Sequence, residues 1–191
     1  GVRDHSLSTD SIIELATKYP LVSGSREQVE WACAVLLGAR EAKITSKEFM
    51  QMMLCSPHAV GTPEENEWAM CTLKGAKEAG ATTSQVKAMA SRSPYVTGSR
   101  QAIEWATAVL KATRATGTPT DEFIDLARMS PHGKGSSREI DWTTSVSMGA
   151  KEAGTTTCEF IETAKKSPHD MDSRKSFVWA TAVLQASKKM H

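Results

Sequence analysis

The chain has 191 residues, enough for one ordinary domain or two small ones, and a core of that size needs no covalent staple. With 23 Lys and Arg against 22 Asp and Glu, the net charge of +1 removes a bulk electrostatic case for nucleic acid or an anionic membrane and leaves only local patches. No apolar run approaches the roughly 20 residues of a membrane span, and the opening GVRDHSLSTD lacks the apolar core of a signal peptide, so no membrane partner is expected.

Trp31, Trp68, Trp105, Trp142 and Trp179 follow one another at intervals of 37, and Pro20, Pro57, Pro94, Pro131 and Pro168 keep the same interval. A fixed period of that length signals an array of like units. Their approximate bounds are 8–44, 45–81, 82–118, 119–155 and 156–191. Each reads as a short helix, a loop and a longer helix. The expected fold is therefore all-α: a single tandem-repeat domain over 1–191, a solenoid-like stack of about ten helices.

The first unit opens on a short helix anchored by Ile12 and Ala16, ended by Pro20. Gly24 then turns the chain, and Ser25 caps the long helix around Trp31. In the second unit Thr45 and Glu48 have capping-box spacing ahead of the anchors Phe49 and Met53. Its loop, S-P-H-x-x-G over Ser56–Gly61, leads to a second box, Thr62 with Glu65, and to Pro63 at the first helical position. The third unit repeats the plan with Thr82 and Gln85, Val86 and Ala90, then Gly98 and Ser99. The fourth places Pro119 in the first turn, Phe123 and Ala127 as anchors, a second S-P-H-x-x-G loop at Ser130–Gly135, and Ser136 with Glu139 as a box. In the last, Thr156 and Glu159 open a helix anchored by Phe160 and Ala164, Asp172 takes the glycine's place, and Ser173 caps.

On a wheel of about 100° per residue, the places −2, +1, +3, +4, +5, +7 and +8 from each Trp span an arc of roughly 220°. In the third unit they are Ile103, Ala106, Ala108, Val109, Leu110, Ala112 and Thr113, all apolar or small. An arc that wide needs neighbours on both sides, which stacked repeats supply. Two columns stay small: Ala34, Cys71, Ala108, Ser145 and Ala182, and, four residues on, Gly38, Gly75, Ala112, Gly149 and Ala186. A second helix fits closely there, and the indoles are read as core between layers. Asn66 breaks the −2 column of Val29, Ile103, Ile140 and Phe177.

The remaining arc is charged. Acids precede the Trp at Glu30, Glu67, Glu104 and Asp141, and bases follow at Arg40, Lys77, Arg114, Lys151 and Lys188. Arg26, Arg100, Arg138 and Arg174 stand near the long-helix N-termini, with Arg26–Glu30 and Arg100–Glu104 at pairing distance four. The four cysteines, Cys33, Cys55, Cys71 and Cys158, form no CxxC pair and fit a reducing intracellular compartment better than an oxidising one. His58, His132 and His169 share one loop place, but repeats 8–10 Å apart could share a metal only if the loops folded together; His169 with Asp170 and Asp172 is the best local cluster, and metal-free loop histidines are the expectation. No nucleophile elbow, phosphate loop or zinc-protease motif is present, so neither catalysis, cofactor nor metal is expected.

Thr82–Ser91 followed by Gly98–Glu104 resembles a TAL-effector DNA-binding repeat, a family whose unit is also a short helix, a loop and a long helix opened by a basic residue and Gln. The resemblance implies DNA binding, with phosphate contacts carried by Arg100 and Gln101. It covers one unit of five, and here the loop is longer, with Pro94 where the family places its base-reading pair. The E-W-A-x-A-V-L core is also similar to organellar RNA-binding helical repeats.

The leading expectation is a non-catalytic module that engages a protein partner or a second copy of itself. Leu37 and Met148 interrupt a polar column, Val178 replaces the acid before the last Trp beside Phe177, and Met50 lies in an apolar run wider than one helix face. The alternative is RNA or DNA binding through phosphate contacts at Arg26, Arg100, Arg138 and Arg174.

Overall fold

The computed structural model describes residues 8–18, 24–170 and 173–190. Among them are ten helices and no strand. The short ones are α1 (Thr9–Ala16), α3 (Ser46–Leu54), α5 (Thr83–Ala90), α7 (Thr120–Ala127) and α9 (Thr157–Lys165). They alternate with the long α2 (Arg26–Ala42), α4 (Pro63–Ala79), α6 (Arg100–Thr116), α8 (Ser137–Ala153) and α10 (Arg174–Lys189). Within each class, successive helices start 37 residues apart. Pro20 and Asp172 lie outside the described residues.

Two compact units form, one up to Glu104 and one from Trp105, so the division falls inside α6. In the first, α2 packs against α1, α3 and α4, and α4 against α3 and α5. In the second, α8 packs against α7, α9 and α10, and α10 against α9. Thus α2 and α8 each pack against their own short helix and against both helices of the next repeat. That is the contact pattern of a helical repeat.

Side-chain caps start the long helices. The hydroxyls of Ser25, Thr62, Ser99, Ser136 and Ser173 each accept a backbone N–H three residues on. Just before four of these caps, Gly24, Gly61, Gly98 and Gly135 have φ between +80° and +85°, a conformation that a side chain opposes. Thr45–Glu48 and Thr82–Gln85 complete reciprocal capping boxes. Thr62–Glu65 and Ser136–Glu139 do not. Glu65 and Glu139 instead reach one residue further back and accept the N–H of Gly61 at 2.8 Å and of Gly135 at 2.7 Å. Pro119 differs too: it is the cap residue before α7, not part of its first turn.

Trp31, Trp68, Trp105 and Trp142 are buried, and Trp179 is half-buried against the core of the second unit. Phe49, Val86, Phe123 and Phe160 are wholly enclosed; each such side chain contributes roughly 1.5–3 kcal/mol of burial. Along α6 the wide arc is real: Ile103, Ala106, Val109, Ala112 and Thr113 are buried, and Ala108 and Leu110 half-buried. Asn66 is half-buried, with its Oδ1 enclosed and without a hydrogen-bond partner among the described residues.

The basic column is more than a solvated surface. Lys151 Nζ donates to the Thr116 carbonyl at 3.1 Å, and Lys188 Nζ donates to the Gly154 carbonyl. Each ammonium therefore caps the C-terminal end of the preceding long helix, where carbonyls lack partners and the helix dipole is negative.

Candidate binding crevices between consecutive repeats

The first unit contains a crevice of about 140 Å³ lined by His58, Glu64, Glu67, Trp68, Cys71, Gly98, Ser99 and Arg100. His58 closes one side, its Nε2 lying 3.0 Å from the Gly98 carbonyl oxygen. A Cβ on Gly98 would fall 2.6 Å from Pro57 Cγ, so the loop of one repeat seats directly on the next. This is the role of the S-P-H sequence in that repeat, which spacing along the chain did not reveal. Arg100 Nε donates to Glu104 at 2.7 Å and its Nη1 to Glu67 at 3.5 Å, and the Glu104 bond holds the guanidinium protonated more firmly than usual. Burial pushes the Cys71 thiol up, away from thiolate character.

The second unit repeats the crevice with other contents. Its lining is His132, Arg138, Asp141, Trp142, Ser145, Arg174 and Phe177, around about 430 Å³. Two periods separate Glu64 from Arg138, Glu67 from Asp141, Cys71 from Ser145 and Arg100 from Arg174. Ser145 is engaged locally, donating to the Asp141 carbonyl at 2.8 Å.

The other candidate residues scatter. Arg26 is bonded to Glu30 at 2.7 Å on the exposed face of α2. Leu37, Met148 and Val178 are exposed on α2, α8 and α10 respectively. Met50 is half-buried, so part of its thioether stem is committed to the fold. Phe177, expected beside Val178 on a partner-facing surface, is instead core: it is buried, with its ring centroid 6.0 Å from that of Phe160. The −2 place points inward here because α9 lies across it. The four cysteines are free thiols. Among the described residues no group of His, Cys, Asp and Glu has the geometry to hold a metal ion, and no helix is long and apolar enough to cross a membrane.

One apolar surface was not legible as a pattern of breaks. Val178, Ala182, Val183, Ala186 and Met190 are exposed on α10, with half-buried Trp179 among them. The places of Trp179, Val183, Ala186 and Met190 are those of Trp142, Val146, Gly149 and Ala153 on α8, all buried there. The chain matches no protein-family model and none of the curated proteins.

Proposed function

We propose that this chain is a non-catalytic helical-repeat module that binds a protein, either a partner or a second copy, through the apolar face of α10. The observation that carries this reading is the contrast between two equivalent helices. On α8 the stripe from Trp142 to Ala153 is enclosed. On α10 the same stripe leaves Val183 39% and Met190 80% exposed, with Val178 at 63% beside it. Exposed apolar groups gathered on one helix face favour association, because burying them releases about 25 cal/mol per Å². The charge column supports the reading as well. Val178 stands where the other long helices carry an acid, so this face lacks that carboxylate, and its exposed charges are the cations Lys175 and Lys189.

Sedimentation velocity over a concentration series, with wild type beside Val178→Glu and Val183→Glu, tests self-binding. Association that the glutamates abolish supports a second copy. A monomeric wild type directs the test to a partner retained by immobilised native chain but not by either glutamate variant. Identical retention by all three would remove the α10 face from consideration.

A further inference from the structure

The two crevices differ in a way that the repeat pattern makes measurable. In the first unit the charged lining is Glu64, Glu67 and Arg100, formally −1, and Arg100 is already bound to Glu104 and Glu67. In the second unit the described residues at the same places include Arg138, Asp141 and Arg174, formally +1, while Asp172, at the place of Gly98, lies outside the described residues. One replacement makes that difference, and a second lies just outside the lining. Arg138 stands where Glu64 does, and Val178, four residues after Arg174, stands where Glu104 does. Arg174 has thereby lost the i+4 carboxylate that neutralises both Arg26 and Arg100. Neither Arg138 nor Arg174 has an ion pair or hydrogen bond through its side chain among the described residues.

The surroundings favour negative charge further. Arg138 and Arg174 sit in the first turns of α8 and α10, so the positive ends of two helices flank the same space. Trp142 and Phe177 supply an apolar wall, which lowers the local dielectric on one side.

We infer that this crevice binds a phosphate monoester. Its dianion matches two guanidinium groups arriving from two helices, whereas a carboxylate is satisfied by one bidentate arginine. A volume of about 430 Å³ accommodates one phosphate with a small organic group against the aromatic wall. A nucleic-acid backbone is the weaker fit, because the other two arginines of the column, Arg26 and Arg100, are already paired with carboxylates in the first unit. Both readings involve α10, which supplies Arg174 and Phe177 here and Val178 there, so the two are told apart by Arg138, which belongs to α8.

Calorimetric titration of the whole chain with phenyl phosphate tests it, with benzoate and a short single-stranded oligonucleotide as parallel probes. The expected result is saturable binding of phenyl phosphate that weakens on raising salt. Arg138→Glu, which installs the residue of the first crevice, and Arg174→Gln should each weaken it about tenfold or more. Arg26→Gln should leave it unchanged. All three side chains are exposed, so circular dichroism should show an unaltered fold. Absence of saturation, equal affinity in all variants, or benzoate binding as tightly as phenyl phosphate would overturn the proposal. So would an oligonucleotide that binds when phenyl phosphate does not, which would assign the two arginines to nucleic acid.

Discussion

The tip of the Phe49 ring fills the space that a side chain on Gly38 would take. A Cβ on Gly38 would fall 2.8 Å from Phe49 Cε2 and nearer still to Cζ. Three repeats later Gly149 and Phe160 reproduce the arrangement, with Cε2 at 2.8 Å and Cε1 at 3.0 Å from the same imagined atom. The second small column of the sequence, at Gly38 and Gly149, thus seats the aromatic anchor of the following short helix.

Gly38→Ala and Gly149→Ala follow as destabilising changes. In an exposed helix, replacing Gly by Ala gains about 1 kcal/mol. Here the methyl group must displace a fully buried ring, and overpacking costs roughly 1–3 kcal/mol. Urea denaturation should therefore give a lower midpoint for each variant. An increase would mean that the ring has room to move.

Lys43 makes the opposite prediction. It ends α2 in the left-handed region, φ +59°, where α4, α6 and α8 end on Gly80, Gly117 and Gly154. A side chain opposes that conformation by about 1–2 kcal/mol, so Lys43→Gly should raise stability by roughly 0.5–1 kcal/mol with no change in the denaturant slope.

Glu65 carries a pH signature. It is wholly enclosed, and burial raises its pKa above the ordinary 4.5, opposed by the Gly61 N–H and by the Trp31 indole. A carboxyl that holds its proton more firmly when folded stabilises most below its unfolded pKa and loses that contribution as pH rises through the raised value. Glu65→Gln keeps the acceptor and removes the charge, as the first repeat already does with Gln28, whose Oε1 accepts the Gly24 N–H at 2.7 Å. The melting temperature of the variant relative to wild type should therefore climb as pH rises above the ordinary carboxylate value of 4.5. Glu14, Glu48 and Glu162, held low by Lys18, Thr45 and Lys165 respectively, act in the opposite sense but are common to both chains and cancel. A flat difference curve would place the Glu65 carboxyl in contact with water.

Lys151→Met tests the cap between repeats. Removing the ammonium from the Thr116 carbonyl should lower stability by about 0.5–1 kcal/mol, and added salt should shrink the difference. An unchanged midpoint at low salt would reduce the contact to a solvated side chain.

The repeat itself was legible in the sequence because it is written in local chemistry. A hydroxyl three residues before a free amide, a glycine at a left-handed turn and a Trp every 37 residues act within one turn or one helix face, so their consequences are readable without coordinates. Helix order, caps and the enclosed indoles followed from them. What the tertiary structure decided were particular pairings, some within a repeat and some between repeats. Phe177 turned inward because α9 covers it, and Glu65 passed over its own cap to reach Gly61. His58 found the next loop, and Arg138 and Arg174 came to share one crevice. The last two join residues 40 and 36 positions apart, and which of them meet depends on how one helix pair leans on the next. Periodicity along a chain sets which face a residue occupies, but the angle between packed helices sets what that face touches.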